Sequence, residues 1–203
     1  MNRVEEILEY KKGRYRVLLE DGTSWILYKG EVRAYRLEPG AKVPEALAEE
    51  IRTEVIGKRA KKRAMHLLEQ MDRTEYGLRG KLRQGEYQEE AIEDAIAYVK
   101  SYHYLDDERY ARNYILSYQN TRSRQRIQQD LLRKGIDKRL IEQVLEEAYE
   151  GEELQMIRQL LQKKHYDTEA DMKEKRRIYA FLLRRGFKSG DILQVMRCED
   201  MNT

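Results

Sequence analysis

Apolar positions follow two rhythms along this chain. In the first forty residues they come in short runs, 4–10, 14–20 and 23–28, rich in Val, Ile, Leu, Tyr and Trp and separated by Lys12-Gly13 and Asp21-Gly22. Runs of that length between turn residues predict strands, and Asp-Gly is a hairpin signal because a type I′ turn needs positive φ at both central positions. A fourth run, 31–37, closes at Glu38-Pro39-Gly40. The expectation is a small β element of two to four strands, marginal alone, that packs on the segment C-terminal to it.

From about Pro44 the rhythm becomes helical. Ile92, Ala95, Ile96 and Val99 form an i, i+3, i+4 stripe, as do Ile141, Val144, Leu145 and Ala148, and again Ile192, Val195 and Met196. Each stripe comes after a helix that ends in a basic turn at glycine: Arg83-Gln84-Gly85, Arg133-Lys134-Gly135 and Arg184-Arg185-Gly186. Cations in a last turn oppose the helix dipole, and glycine just beyond it takes the left-handed conformation, so each is a helix stop. An apolar residue comes next, Tyr87 one residue late, then Ile136 and Phe187; each lies 5 positions before the first isoleucine of its stripe, and the glycines are 50 and 51 apart. Another helix opens each unit: Ala60, Ala64, Leu67, Leu68 and Met71 in the first, Tyr110, Ala111, Tyr114, Ile115 and Tyr118 in the second, Ile157, Leu160 and Leu161 in the third. Thr74, Ser123 and Asp137 are candidate N-caps, and Thr168 with Asp171 resembles a capping box with Asp in the usual Glu place.

The pattern is an internal repeat of about fifty residues. It predicts a mainly α fold: three tandem three-helix repeats forming an elongated, curved array, preceded by the small N-terminal β element. The expected boundaries are 1–50 for the β element and 51–106, 107–151 and 152–203 for the repeats. Repeats of this kind bury their apolar faces mainly against neighbours. A single all-α domain with a coincidental repeat is the competing reading, since capping glycines are common.

Charge refines this. Charged residues make up 38% of the 203, with 40 Lys+Arg nearly offset by 37 Asp+Glu; that composition favours long helices with solvated faces. The single cysteine excludes an intrachain disulfide framework and suits a reducing compartment. The charged N-terminus lacks the apolar core of a secretory signal, and nothing approaches the roughly 18 uninterrupted apolar residues of a membrane span. His66, His103 and His165 are scattered, and there is no HExxH, CxxC, phosphate-binding loop or GxGxxG, so neither metal chemistry nor nucleotide binding has support. Tyrosine is unusually frequent at 15, and Tyr98, Tyr102, Tyr104, Tyr110, Tyr114 and Tyr118 crowd the junction of the first two repeats. Such rings can stack on bases or anchor a protein, but packing between repeats with hydroxyls toward solvent is the commoner use.

Basic residues cluster locally at Lys58, Arg59, Lys61, Lys62 and Arg63; at Arg122, Arg124, Arg126, Arg133 and Lys134; and at Lys173, Lys175, Arg176, Arg177, Arg184 and Arg185. The last two clusters occupy equivalent middle helices, so stacking could align them into a stripe that meets phosphate or the acidic wall of a protein groove. A solvated face is the bland alternative for any one of them.

The segment YHYLDDERYA at 102–111, together with 78–85 upstream and LLRKGI at 131–136 downstream, resembles the RecX family, bacterial regulators of the RecA recombinase. The similarity covers roughly 58–197, and its most specific part is Tyr104, Leu105, Asp106, Asp107 and Glu108 followed by Tyr110 and Ala111. Physically, Asp106 or Asp107 can cap the helix that begins the second repeat, with Glu108 favourable in its first turn, while Leu105, Tyr110 and Ala111 fill the seam between repeats. A joint is favoured over a contact surface. The resemblance implies a cytoplasmic, monomeric, non-enzymatic modulator without cofactors, whose partner is RecA as a filament on DNA, with weak direct DNA binding possible. On that expectation Arg122, Arg124, Arg126, Arg133, Lys134, Arg176, Arg177, Arg184 and Arg185 make the contacts with filament or DNA. The alternative is a helical-repeat protein that binds DNA or RNA directly; a net charge of only +3 argues against it.

Overall fold

The computed structural model describes residues 2–167 and 169–200. Near the N-terminus, β1(Asn2–Lys11), β2(Arg14–Leu19), β3(Ser24–Tyr28) and β4(Lys42–Val43) form an antiparallel sheet of order β3-β2-β1-β4. Period-two alternation buries Val17 and Leu19 of β2 and Trp25 and Leu27 of β3. The Asp21-Gly22 turn departs from the expected type, because only Gly22 has positive φ, 84°. The loop is wider: the Leu19 N–H reaches the Thr23 carbonyl at 2.8 Å, and the Asp21 carboxylate accepts from the Thr23 N–H at 2.9 Å.

The fourth apolar run is not a strand. Residues Lys29–Ala34 form α1, and the fourth strand comes later at β4. Glu31 is the cause: its carboxylate accepts from the Tyr28 N–H at 2.7 Å, closing a helix N-terminus, and takes two hydrogen bonds from the Arg59 guanidinium at 2.5 and 2.6 Å. Val32 and Tyr35, three apart on the turn this creates, pack against the core. Arg59 also donates to the Ile26 carbonyl at 2.9 Å, so one member of the first basic cluster is structural.

The chain divides into two compact units, the first comprising residues up to Met71 with Leu78–Leu105, the second Asp72–Gly77 with the residues from Asp106 on. In the first unit the sheet, α2(Glu45–Glu50), a π-helical stretch Ile51–Gly57, α3(Lys58–Gln70), most of α4(Glu75–Gln84) and α5(Glu89–Ser101) share one apolar core running from Val4 through Trp25, Ile51, Ala64 and Leu82 to Val99 and Leu105. Gln88 ties the repeat to the sheet, its side-chain amide donating to the Ser24 carbonyl at 2.7 Å.

The second unit holds α6(Asp107–Tyr118), α7(Arg124–Arg133) and α8(Lys138–Ala148), then α9(Glu153–Lys163), α10(Met172–Arg184) and α11(Ser189–Asp200). The predicted stripes are buried, but inside each repeat: Ile115, Ile127, Leu131 and Ile141 belong to one cluster and Ile157, Leu182, Phe187 and Ile192 to another. Neighbour-shared burial, expected for stacked repeats, is therefore not how these two are made. The motif's apolar residues are likewise split rather than gathered in one seam, Leu105 lying in the first unit's core and Ala111 and Tyr110 in or against the second repeat's.

Gly135 and Gly186 stop α7 and α10 with φ of 82° and 85°. In the first repeat the left-handed residue is Glu86, φ 62°, and not Gly85. Hydrogen bonding gives the reason: Tyr87, Ile136 and Phe187 donate to Leu82, Leu131 and Leu182 respectively, so the residue before each, Glu86, Gly135 or Gly186, must turn left. Thr74, Ser123 and Asp137 are N-caps, accepting from Gly77, from Arg126, and from Arg139 and Leu140. Asp171 is itself the cap of α10, accepting from Glu174 at 2.7 Å, rather than the far member of a box; Thr168 lies outside the described residues. Among the described residues no helix is long and apolar enough to cross a membrane.

Candidate basic interface in the second unit

Two caps do more than start a helix. The Ser123 hydroxyl accepts from the Arg126 N–H at 3.2 Å and donates to the Arg185 carbonyl at 2.9 Å, the last one exposed by α10. Thr74 does the same one repeat earlier, accepting from Gly77 at 3.1 Å and donating to the Lys134 carbonyl at 2.7 Å. A second bond accompanies each: the Glu75 N–H donates to Asp107 at 2.8 Å, and the Arg124 N–H to Glu153 at 2.6 Å. Asp107 and Glu153 are the first residues of α6 and α9. A helix start, whose N–H groups lack partners, thus meets a carboxylate and a helix end, whose carbonyls lack partners. In the family motif Asp106 caps its own helix through the Arg109 N–H at 2.9 Å, and Asp107 serves the neighbouring one.

The glycine beyond each stop is fixed by this approach as well as by its φ. A Cβ at Gly135 would stand 2.3 Å from the Tyr76 Cβ, and one at Gly186 2.7 Å from the Ser123 hydroxyl.

The α7 basic cluster surrounds one buried carboxylate. Asp130, 8% exposed, pairs with Arg122 at 2.7 Å, with Arg126 at 3.3 Å and with Arg133. Burial opposes ionisation of Asp130, but hydrogen bonds from Arg133 and Arg122 and the charge of Arg126 outweigh it and hold the carboxyl below its ordinary range. Arg122 also donates to the Tyr114 hydroxyl at 2.6 Å and stacks its guanidinium 3.9 Å from the Tyr118 ring centre; Lys134 lies 5.4 Å from the Tyr114 centre and 5.6 Å from that of Tyr110. Burial raises the Tyr114 phenol, and the Asp130 charge raises it further. Tyr110, Tyr114 and Tyr118 are therefore part of the cation scaffold, whereas Tyr98, Tyr102 and Tyr104 in the first unit are exposed.

The candidate contact residues separate into three places. Arg122, Arg126, Arg184 and Arg185 line one groove of about 470 Å³ with Thr121 and Phe187, and no carboxylate is among its lining residues. Arg185 is braced there, 4.7 Å from the Phe181 ring centre. Arg133 and Lys134 stand at the end of α7 beside Asp130 and the tyrosines. Arg176 lines a different groove between α10 and α11, Arg177 pairs with Glu174 at 2.8 Å, and the backbone of Arg124 serves the joint. Asp130 is the organising residue that charge clustering passes over. Its signal was present, since it is the only acid between Arg122 and Lys134, at i+4 from Arg126 and i−3 from Arg133. Among the described residues no group of three or more His, Cys, Asp or Glu is placed to hold a metal ion.

The three-helix repeats have counterparts among known proteins. Three family models match consecutively: RecX, first three-helix domain, at residues 60–105; RecX, second three-helix domain, at 106–145; and RecX, third three-helix domain, at 151–196. Relatives described as regulatory protein RecX include that of Clostridium acetobutylicum, 29% identical with 95% of this chain and 92% of the relative covered, and that of Serratia proteamaculans, 34% identical over 66% of this chain and 94% of the relative. The match to the protein of Caldanaerobacter subterraneus is 39% identical over 60% of this chain and 63% of the relative. Among solved structures, a crystal structure of regulatory protein RecX shares the fold with a TM-score of 0.64 at 22% identity, covering 96% of this chain and 98% of that one, and RecX from Lactobacillus salivarius does so with a TM-score of 0.59 at 22% identity, covering 72% and 97%.

Proposed function

The chain belongs to the RecX family of regulatory proteins, and from that premise we propose that it binds RecA, lying along the helical groove of the RecA filament on DNA as a monomer in the cytoplasm. It acts there without chemistry of its own, hindering strand exchange, ATP hydrolysis and co-protease activity and altering filament growth or disassembly. The observation that carries the reading is the groove in which Arg122, Arg126, Arg184 and Arg185 converge with no carboxylate on its lining. Such a surface meets an acidic protein wall or a phosphate backbone, and the near-neutral net charge of +3 suits a protein that reads a filament rather than one that coats DNA.

The test is charge reversal at Arg126, Arg184 and Arg185 together, with inhibition of RecA filament ATP hydrolysis as readout. The half-inhibiting concentration is expected to rise by at least about tenfold, the loss of ~1.4 kcal/mol of binding. Unchanged inhibition by a variant of native ellipticity would overturn the assignment. Titration of labelled single-stranded DNA with and without RecA separates this reading from direct nucleic-acid binding: tight binding that needs no RecA favours the latter.

A further inference from the structure

The third repeat carries another surface, distinct in residues from the arginine groove. Along α10, Met172, Arg176 and Tyr179 follow i, i+4, i+7 spacing, with Lys175 beside them; along α11, Leu193, Met196 and Arg197 follow i, i+3, i+4. Together they line a groove of about 280 Å³ whose floor is thioether, aliphatic and phenol and whose rim is Lys175, Arg176 and Arg197, with no carboxylate among the lining residues. Met172 is 66% exposed and Leu193 39%. The repeat's own core is complete without Met172 and Leu193, since Ile178, Leu182, Ile192, Val195 and Met196 are buried behind this face. The wall is fixed: the Tyr179 hydroxyl and the Ser189 hydroxyl are 2.7 Å apart, linking α10 to the start of α11.

We infer that this groove docks an acidic amphipathic helix of a partner protein. Apolar anchors at i, i+3, i+4 and i+7 fill a groove between two helices, the exposed thioether of Met172 adapts to the anchors' shape, and a one-signed basic rim selects acidic residues flanking them. A single-stranded nucleic acid fits less well, because it asks for successive exposed aromatic platforms, and the two rings that line this groove, Tyr166 and Tyr179, are partly buried against the repeat's own core. The inference needs neither the arginine groove nor RecA.

Fluorescence anisotropy on the full chain tests it. The probe is a labelled peptide with leucines at i, i+3, i+4 and i+7 and glutamates between them; its counterpart has lysines in place of the glutamates. The acidic peptide is expected to bind, and to bind at least about tenfold more weakly to Leu193→Asp and to the pair Arg176→Glu with Arg197→Glu, both variants being checked for native ellipticity. The exposed site of Leu193 and the surface location of the two arginines keep folding out of the result. Equal binding of the lysine peptide, no binding of the acidic one, or indifference to both variants would overturn the inference. So would Leu193-dependent competition by a single-stranded oligonucleotide, or self-association of the wild-type chain that Leu193→Asp abolishes, since each names a different occupant.

Discussion

Ser123 and Gly186 form a pair whose energies should not add. Ser123→Ala removes the cap of α7, worth about 1 kcal/mol, and the bond to the Arg185 carbonyl, worth about 1 kcal/mol, for a total near 2 kcal/mol. Gly186→Ala forces a side chain into the left-handed region at φ 85°, costing about 1–2 kcal/mol. It also drives a methyl to 2.7 Å from the Ser123 hydroxyl and 3.2 Å from the Arg126 nitrogen, an overpacking of about 1–3 kcal/mol. Independent sites would therefore lose about 4–7 kcal/mol together. In the double variant the hydroxyl is already absent, so the main clash disappears and only the backbone strain is added to the lost cap: about 3–4 kcal/mol is expected, with a coupling of about 1–3 kcal/mol. Urea unfolding followed by far-UV ellipticity measures all four corners of the cycle, provided the slope with denaturant stays constant. Additivity within about 0.5 kcal/mol would refute the claim that the hydroxyl fills the space a side chain at 186 needs.

The same unit supplies other expected outcomes. Asp130→Asn leaves Arg122, Arg126 and Arg133 facing one another without a carboxylate; because those arginines are partly solvated, the expected loss is about 1–2 kcal/mol by urea denaturation rather than that of a sealed ion pair. Since the folded-state pKa of Asp130 is depressed, its contribution is complete above the ordinary value of 3.8 and is lost as pH falls below it; the acid limb of the urea midpoint against pH should be shallower in Asp130→Asn, and an unchanged limb would contradict the network. His165→Gly, at φ 50°, should raise the thermal midpoint, by about 0.5 kcal/mol of stability, because glycine accepts the left-handed conformation without strain. Tyr114→Phe removes the hydroxyl that accepts from Arg122 at 2.6 Å and should cost about 1 kcal/mol, read by the same denaturation.

The periodic features of the chain were legible in its sequence. The stripes beginning at Ile92, Ile141 and Ile192 are buried helix faces, and the N-caps Thr74, Ser123 and Asp137 sit where hydroxyl or carboxylate oxygen precedes an apolar rhythm, because both signals are local. Failures came where a distant partner decided. Residues 31–37 read as a strand until Arg59, 28 positions after Glu31, is seen to hold that carboxylate at a helix start. Gly85 reads as the stop until hydrogen bonds place the turn at Glu86, since one residue of extra helix is invisible to a composition pattern. The arginines of α7 and α10 were legible as clusters, but Asp130 and the burial of its carboxylate depend on how α6 and α7 pack, and the separation of Arg176 from Arg184 depends on which face of α10 each occupies.

The hydroxyl joint also has a direction and a terminus. Threonine and serine, at the starts of α4 and α7, can receive a hydrogen bond from their own helix and pass one onward to the carbonyl of the next repeat. At the same station in the third repeat stands Asp171, whose carboxylate receives from Glu174 and has no proton to pass on. Chemistry therefore makes the third repeat a receiver only: it can be docked upon, as Arg185 is by Ser123, but cannot dock a successor in the same way. Any repeat joined to the third in this way would first need a hydroxyl at 171.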